Sequence, residues 1–460
     1  MRAHPAGPRH GDLVVDHSLE RAPDDLNPLD EHVWPESAQR LADGAISLAG
    51  HDARRIAEEF GTPAIVLDEQ GARAEMRRWR AAFADGDVYY AAKAFLSRGF
   101  ARWVAEEGLS LDVCTGGELE IALSAGFAPE RILVHGNNKS PDELAQALNA
   151  GVGRIVVDSF VEIARLAFLA EERGIQQEVF VRVTTGVEAH THEFIATAHE
   201  DQKFGFSLAG GDAAEAVRRV LKSPSLRLVG LHSHIGSQIF DTDGFEVAAA
   251  RVAGLLSAIR DEHQATLPEL NLGGGFGIAY RGEDDPQEPA ELADRLRGIV
   301  ERVCTDAGLP IPRLAVEPGR AIVGRAGVTL YEVGTVKNVD GLRTYVSVDG
   351  GMSDNIRTAL YDADYTVALA SRASDAPPML ARVVGKHCES GDVVVRDAWL
   401  PADLAAGDLL AVAATGAYCR SMASNYNVVP RPPVLALNDG DVHTLIRRET
   451  VADLLATDVG

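Results

Sequence analysis

Lys93 ends a run of apolar and aromatic residues, Val88 to Ala92, and its setting suggests chemistry. The run predicts a short buried strand, because aromatic and β-branched residues favour strands. Burial at the end of a strand lowers the pKa of an amine, and a neutral amine can attack a carbonyl group to form a Schiff base. The alternative is a lysine whose ammonium group extends into solvent. The residues that follow favour the first interpretation.

Three consecutive glycines stand in the stretch Leu272–Gly277, with the sequence LGGGFG. Glycines allow backbone N–H groups to approach a phosphate closely. A tight turn is the alternative for any glycine run. This run follows the seventh predicted strand, and loops after the seventh and eighth strands of α/β barrels commonly bind phosphate. Its position therefore favours a phosphate site.

A second turn, Glu317-Pro318-Gly319-Arg320, follows the eighth predicted strand. Pro318 fixes the turn, and Gly319 leaves the backbone open to a ligand. A carboxylate such as that of Glu317 can hold a proton on a pyridine nitrogen, which makes the ring an electron sink. A salt-bridged corner is the alternative for this turn.

His232 and His234 follow the sixth predicted strand and are separated by one residue. Side chains at this spacing point to opposite faces of a strand and cannot easily share a metal ion, so no metal site is predicted. One of them can instead stack on an aromatic ring, while the Gly236-Ser237 turn can donate to a phosphate or a phenolic oxygen. Lysine, glycine run, histidine and carboxylate together are typical of a pyridoxal phosphate site.

The elements that position these residues follow a regular alternation of short apolar runs and helical stretches. The runs end near Ala92, Val113, His135, Asp158, Val183, His234, Gly273 and Glu317. Eight such units predict an α/β protein with a (β/α)8 TIM barrel, and a doubly wound open sheet is the alternative. The barrel is favoured because residues with chemistry, including Asp112, His135 and Arg182, fall at strand C-terminal ends, which converge at one mouth of a barrel.

After Arg320 the chain changes to alternating, β-rich stretches that turn signals such as Asp340-Gly341 and Asp439-Gly440 separate. This alternating pattern predicts a second, mainly antiparallel β domain, built as a barrel or sandwich. The predicted organisation is a loosely ordered leader over 1–45, a segment over 46–67 that packs with the C-terminal β domain, the cofactor-binding barrel over 68–325, and the β domain over 326–460.

Composition excludes several classes of function. The 460-residue chain carries 68 acidic and 44 basic residues, a net charge of -24, which disfavours nucleic acid or an anionic membrane as a partner. Four cysteines without a C-x-x-C pair indicate a reducing compartment. Because the chain also has no apolar leader and no membrane-spanning run, we expect a cytoplasmic protein.

From about residue 60 to about residue 455, the chain resembles the diaminopimelate decarboxylase family, in the motifs YYAAKAF, LDVCTGGEL, HGNNKS, GLHSHIGSQI, LNLGGGFG, EPGR, DGGMSDNIRTALY, GKHCESGD and GAYCRSMASNYN. Ornithine and arginine decarboxylases and alanine racemase share this barrel class. The resemblance implies pyridoxal phosphate-dependent decarboxylation of meso-2,6-diaminoheptanedioate to L-lysine and carbon dioxide, the last step of lysine biosynthesis. Another basic amino-acid decarboxylase of this fold and a non-catalytic regulatory homologue are the alternatives.

The resemblance also implies roles around the cofactor. Lys93 would carry pyridoxal 5'-phosphate as a Schiff base, His234 would stack on its ring, and Glu317 would pair with the ring nitrogen. A glutamate there argues against an alanine racemase, which has an arginine opposite that nitrogen. The implied cofactor-binding residues are Lys93, Asp112, His234, Ser237, Gly275, Glu317, Gly319, Arg320 and Tyr418.

In the β domain, the resemblance implies that Cys388 protonates the carbon that loses carbon dioxide, with Glu389 beside it. Both residues are expected to reach the site from a partner subunit, which implies a homodimer with shared active sites. A buried, inert thiol is the alternative for Cys388.

Residue chemistry adds an expectation about the substrate. Arg320, Arg357 and Tyr361 can hold a carboxylate, the arginines through forked hydrogen bonds, while Glu389 can take an ammonium group. A carboxylate clamp far from the reacting carbon suits a small diamino diacid. Tyr418 is expected to contact the cofactor phosphate or the substrate.

Two stretches need comment beside the family pattern. The prolines that often flank the arginine in this family are missing from Asn355–Thr358, which weakens the prediction of how Arg357 is aimed. The stretch Glu188–Gly205 contains three histidines and could be mistaken for a metal cluster. We interpret it as a lid or wall of the site.

Overall fold

The structure is a computed structural model that describes residues 21–187, 203–340 and 342–460. The chain divides into two compact units. One, the barrel unit, consists of the described residues within 73–277 and 286–321. The other, the β unit, consists of the described residues within 21–72, 278–285 and 322–460.

Strands and helices alternate through the middle of the chain, and strands dominate its last third. The strands are β1 Gln39–Arg40, β2 Ile46–Leu48, β3 His51–Asp52, β4 Ala64–Asp68, β5 Asp87–Ala91, β6 Ser110–Val113, β7 Ile132–Val134, β8 Arg154–Val157, β9 Gln177–Thr184, β10 Phe206–Ser207, β11 Leu226–His232, β12 Glu269–Asn271, β13 Arg313–Val316, β14 Gly327–Val339, β15 Arg343–Val348, β16 Val367–Leu369, β17 Pro378–Val384, β18 Val393–Pro401, β19 Leu409–Val412, β20 Val434–Asn438 and β21 Asp441–Ile446. The helices are α1 Ala53–Phe60, α2 Glu69–Ala82, α3 Arg98–Glu106, α4 Gly116–Ser124, α5 Pro141–Ala150, α6 Phe160–Glu172, α7 Asp212–Lys222, α8 Asp243–His263, α9 Pro289–Asp306, α10 Arg320–Val323, α11 Arg357–Tyr361 and α12 Val451–Leu455.

The barrel unit is built on a closed ring of eight parallel strands. Their spatial order is β9-β11-β12-β13-β5-β6-β7-β8, and β8 pairs with β9 to complete the ring. The short strand β10 extends one edge of β9. Closure excludes the open-sheet alternative, and the prediction of a (β/α)8 barrel is confirmed. The strand C-terminal ends therefore meet at one mouth, as the placement of the chemical residues requires.

Inward-facing side chains from six of the eight strands fill the barrel. They form one buried cluster of Tyr89, Leu133, Val156, Phe180, Val229 and Ala315. Parallel strands covered on both faces read as nearly continuous apolar runs, which is why short runs rather than alternation marked them in the sequence. A packed interior leaves the loops at the mouth as the place for ligands.

Local sequence fixes the helix boundaries between these strands, as α5 illustrates. Ser140 accepts the backbone N–H of Glu143, and the Glu143 side chain accepts the N–H of Ser140, which together form a capping box. Pro141 occupies the first turn, and Gly151 ends the helix with a φ of 75°. The HGNNKS stretch therefore stays a loop up to Ser140.

The β unit contains one large mixed sheet in the order β18-β17-β15-β14-β4-β20-β21, with β19 pairing with both β14 and β16. Most pairs are antiparallel, while β15 with β17 and β4 with β20 are parallel. A mainly antiparallel β domain is therefore confirmed.

Some predicted boundaries differ from the structure. Within the predicted leader, Val33 and Trp34 are fully buried, and Arg325 donates to the carbonyl of Trp34 at 2.8 Å. This part of the leader is packed, not loosely ordered, because two large apolar residues anchor it without any periodicity that the sequence could reveal. Residues 278–285 belong to the β unit and not to the barrel.

The predicted lid or wall falls mostly outside the described residues, which omit 188–202. Residues 1–20 of the predicted leader lie outside them as well. Among the described helices, none combines the length and apolar character that a membrane crossing requires.

Candidate active site

Lys93 lies in a single 3-10 turn, Ala92–Ala94, directly after β5. Both neighbours are buried, and Tyr90 fixes the turn by donating its hydroxyl to the carbonyl of Phe95 at 2.8 Å. The lysine itself is exposed. The expectation of a buried amine is therefore wrong, because Lys93 lies in a 3-10 turn that follows the buried strand.

Glu317 follows β13 and is the centre of a buried polar cluster. Its Oε1 accepts hydrogen bonds from Nε2 of His135 and Nδ2 of Asn271, both at 2.8 Å. Nε2 of His232 lies 3.3 Å from the same carboxylate. The imidazole rings of His135 and His232 contact each other edge to face, with centroids 4.8 Å apart. The ends of three strands, β7, β11 and β12, thus supply donors to one carboxylate.

The electrostatics of this cluster favour an ionised glutamate beside neutral imidazole. Burial raises the pKa of Glu317, but the charges and hydrogen bonds of His135 and His232 outweigh it and hold the pKa well below its ordinary value. Burial lowers the pKa of His232 to about 4, so this ring is neutral near pH 7. The cluster therefore presents a fixed negative charge at the barrel mouth.

Two buried polar atoms beside this cluster have no hydrogen-bond partner within the described part of the chain. They are Oδ1 of Asp112 and Nδ1 of His232. Asp112 lies 3.9 Å from Nε2 of His135. Burial, opposed by His135, raises the pKa of Asp112 to about 6. Unpartnered buried polar atoms are costly and call for an explanation, which a polar ligand at the mouth would supply.

The glycine run packs backbone against backbone. Gly273 and Gly275 have φ values of 72° and 103°, which side chains rarely tolerate. A Cβ at Gly274 would clash with the carbonyl of Glu317, and a Cβ at Gly275 would clash with the carbonyl of Gly236. Only glycines allow this approach, which brings the loop after β12 against the turn after β11.

His234 belongs to the same contact. The backbone N–H of Gly274 donates to its Nδ1 at 3.3 Å. Burial, together with the charges of Lys93 and Arg182, lowers the pKa of His234 well below its ordinary value. The ring is therefore neutral and fixed in orientation, as stacking on an aromatic ligand requires.

Ser237 and Arg320 meet at the end of the same loops. Nη2 of Arg320 donates to the Ser237 hydroxyl at 2.9 Å. A Cβ at Gly319 would lie 2.9 Å from the Cβ of Ala91, so only glycine allows this turn to pack on the end of β5. The barrel unit therefore brings the turn after β13 against both Lys93's strand and Ser237.

In the β unit, Cys388 lies in an exposed turn whose backbone is held by hydrogen bonds to side chains. Its N–H donates to Oδ1 of Asn427 at 3.0 Å. The preceding N–H, of His387, donates to Asp392 at 2.7 Å, and the ring of His387 bonds to Ser353 at 2.8 Å. The thiol and the neighbouring Glu389 are exposed, so the alternative of a buried thiol is wrong for Cys388.

Arg357 and the aromatic residues around it form a second group in the β unit. Its buried guanidinium donates to the hydroxyls of Tyr280 and Tyr365. The ring of Tyr418 lies 5.8 Å from Cζ, and Tyr418 has a φ of 63°, a strained conformation for this residue type. Tyr361 is exposed.

Within the barrel unit, Glu317 contacts His232 and His135, and His135 lies beside Asp112. His234 contacts the glycine run, and Ser237 contacts Arg320. Asn271, Tyr280 and Tyr365 are not among the residues predicted from the sequence, and His135 is predicted only to lie at a strand end. Strand-end position could have flagged Asn271, which ends β12. No pattern in the sequence marks the tyrosines.

Residues 70–324 match the family model for the pyridoxal-dependent decarboxylase, pyridoxal binding domain. The diaminopimelate decarboxylase of Mycobacterium tuberculosis (strain ATCC 25618 / H37Rv) is 59% identical over 444 residues, which cover 95% of this chain and 99% of the relative. The enzyme of the same name from Bacillus subtilis (strain 168) is 47% identical, over 90% of this chain and 95% of the relative.

A solved structure shares the fold along nearly the whole chain. Diaminopimelate decarboxylase from M. jannaschii in co-complex with L-lysine aligns with a TM-score of 0.87 at 32% identity. The alignment covers 93% of this chain and 98% of that one. Similarity therefore extends through both units.

Proposed function

Because the chain belongs to the pyridoxal-dependent decarboxylase family, and within it to the diaminopimelate decarboxylases, we propose that it converts meso-2,6-diaminoheptanedioate to L-lysine and carbon dioxide. The observation that carries this function is the buried carboxylate of Glu317, held by Asn271 and two histidines at the barrel mouth. The 59% identity over 95% of the chain favours this substrate over ornithine or arginine.

The residues present fit pyridoxal 5'-phosphate. Glu317 offers a fixed negative charge to a protonated ring nitrogen, and the unpartnered Oδ1 of Asp112 offers a further acceptor. Backbone at Gly275, Gly319 and Arg320, with the Ser237 side chain, suits the phosphate. His234 supplies a neutral ring for stacking. When bound, the cofactor supplies the electron sink that accepts the electron pair of the broken carbon–carbon bond.

Each residue then has one task in the reaction. Lys93 would hold the cofactor covalently through Nζ between turnovers, and its exposed position leaves the amine accessible to exchange. Glu317 would keep a proton on the ring nitrogen, because its pKa lies well below its ordinary value. Cys388 would donate the proton of Sγ to the carbon that has lost carbon dioxide.

We propose that Cys388 and Glu389 act in the site of a partner subunit, so that the active unit is a homodimer. Their exposure supports this arrangement, since a proton donor for another subunit must lie at the surface. Large apolar side chains in the β unit are exposed as well, including Leu360 at 55%, Tyr361 at 61% and Val428 at 62%. Exposed apolar groups of this size favour a protein partner.

Substrate selection is proposed to depend on Arg320, Arg357 and Tyr361 for the distal carboxylate and on Glu389 for the distal ammonium group. Tyr418 would contact the cofactor phosphate or the substrate. Forked hydrogen bonds from arginine match a carboxylate, which ornithine and arginine lack at their far ends. The four cysteines form no disulfide within the described residues, which supports a reducing location, and we propose the cytoplasm.

Carbon dioxide release tests the proposal. Purified protein with added pyridoxal phosphate is offered meso-diaminopimelate, ornithine, arginine and lysine in parallel. We expect release from meso-diaminopimelate, with the other three far slower. Preference for ornithine or arginine would overturn the assigned substrate, and cofactor binding without release from any of the four would favour the regulatory alternative.

A further inference from the structure

Arg357 is a buried cation that has no carboxylate partner among the residues that the structure describes. The residue is 6% exposed, and within the described ranges the hydrogen bonds of its guanidinium go to two tyrosine hydroxyls. Burial of an arginine costs free energy unless its charge is compensated. The β unit therefore keeps a positive charge that an anionic ligand can neutralise.

The hydrogen bonds of Arg357 use only one of its terminal nitrogens. Nη1 donates to the hydroxyl of Tyr280 at 2.8 Å and to that of Tyr365 at 2.6 Å. Because Nη1 has two hydrogens, these bonds use both of them. The edge formed by Nε and Nη2 is left for a forked interaction with a carboxylate. The two hydroxyls thus determine which edge of the guanidinium is available.

The tyrosines are themselves held in place. Their rings pack edge to face with centroids 5.2 Å apart. Thr366 donates its hydroxyl to the carbonyl of Tyr280 at 2.7 Å, and the Tyr365 hydroxyl lies 3.8 Å from Sγ of Cys419. Burial raises the pKa of Tyr365 well above its ordinary value, so this hydroxyl stays neutral and does not cancel the charge of Arg357.

We propose that Tyr280 and Tyr365 are positioning residues that aim the Nε–Nη2 edge of Arg357 and thereby set the preference for ligands with a distal carboxylate. The inference rests on the proposed role of Arg357 in binding that carboxylate. It also accounts for a departure from the family pattern, because the tyrosines restrain an arginine that has no flanking prolines.

Two ligands that differ by one carboxylate test this role. L-lysine keeps the carboxylate of the substrate's distal centre, whereas cadaverine lacks it. Dissociation constants of both are measured by calorimetry on the cofactor-loaded enzyme and on Tyr280→Phe, Tyr365→Phe and the double variant. Phenylalanine keeps the ring and removes only the hydroxyl. Tyr345→Phe, in strand β15 of the same unit, is the matched control.

We expect the removal of each hydroxyl to raise the dissociation constant of L-lysine about fivefold, as for the loss of a neutral hydrogen bond. The dissociation constant of cadaverine should change by less than about twofold. The double variant should lose most of the preference for L-lysine, and the control should keep it. Unchanged L-lysine binding in the double variant would overturn the inference. Equal weakening of both ligands would overturn it too, because damage to the fold does not discriminate between them.

Arg357→Ala separates this inference from the proposal on which it rests. We expect this variant to lose the preference for L-lysine. If it keeps the preference, Arg357 does not bind the distal carboxylate. The positioning role of both tyrosines is then wrong as well. If Arg357→Ala loses the preference while the double phenylalanine variant retains it, only the positioning role is wrong.

Discussion

Two buried charges, one in each unit, are handled in opposite ways. Glu317 in the barrel is surrounded by donors from His135, His232 and Asn271, so the protein itself stabilises its negative charge. Arg357 in the β unit donates to the hydroxyls of Tyr280 and Tyr365, and no carboxylate pairs with it among the described residues. Under the proposed function, Glu317 would support a step common to every substrate, whereas Arg357 would recognise one particular substrate.

The largest loss of activity is expected from replacing Lys93. Lys93→Ala removes the amine that would hold the cofactor, so carbon dioxide release should fall below detection and borohydride should no longer fix the cofactor to the protein. Mass spectrometry after reduction measures this attachment. Lys222→Ala, at the exposed end of α7, is the control. Covalent reduction at a different lysine would contradict the assignment.

Replacing Cys388 should show that the β unit contributes more than recognition. Cys388→Ala removes a proton donor, so kcat should fall by about 100- to 10,000-fold with KM little changed. Steady-state kinetics measure both constants, and Cys304→Ala is the buried-thiol control. A lower kcat/KM caused by KM alone would instead place Cys388 in binding.

Mixing the Lys93→Ala and Cys388→Ala proteins tests where that cysteine acts. If sites combine residues of two subunits, random reassortment gives half heterodimers with one intact site each, or about a quarter of the original activity. Activity is measured after the two inactive proteins have exchanged subunits. Subunit exchange without any recovered activity would place Lys93 and Cys388 of one chain in the same site.

Removing a donor to Glu317 should change pH dependence more than the maximal rate. His135→Leu removes the hydrogen bond and charge that lower the pKa of Glu317, so that pKa should rise. Glu317 then gains a proton at higher pH, and the acid limb of the kcat/KM profile should move to higher pH. An acid limb at the original pH would show that Glu317 does not govern it.

The smallest effect is expected for a carboxyl group near Arg357 that serves stability alone. Burial raises the pKa of Asp354 to about 7, and Tyr331 donates its hydroxyl to this group. Because the folded state binds this proton more tightly than the unfolded state, its contribution to stability is lost as pH rises from about 4 to about 7.

Asp354→Asn cannot titrate, so the wild-type protein should lose roughly 2 to 4 kcal/mol more stability than the variant between about pH 4 and about pH 8. Denaturant unfolding at several pH values measures the difference. Parallel curves for the two proteins would show that Asp354 has an ordinary pKa.

The two charged sites also differ in how much of them the sequence could reveal. The C-terminal ends of barrel strands converge. The regular spacing of the apolar runs was therefore enough to predict that Lys93, His234 and Glu317 lie at one mouth. The surroundings of Arg357 follow no such rule. Its partner Tyr280 is 77 residues away along the chain, and contacts between remote loops leave no periodic pattern.

Exposure was harder to predict than position. Lys93 was placed correctly after its strand, but a single 3-10 turn makes it exposed. Conversely, the Pro- and Asp-rich stretch around Trp34 has the composition of a loose leader, yet its tryptophan and the preceding valine are buried. Local turns and isolated apolar anchors therefore limit what composition and periodicity can establish.

The contrast between Glu317 and Arg357 is tested most directly by carbon dioxide release from two substrates, meso-diaminopimelate and D-lysine, which lacks the distal carboxylate. Glu317→Gln should lower kcat/KM for both substrates alike, by about 100-fold. Arg357→Ala should lower it about 100-fold for meso-diaminopimelate and less than about twofold for D-lysine. Equal losses on both substrates for Arg357→Ala, or a loss on only one for Glu317→Gln, would contradict the account.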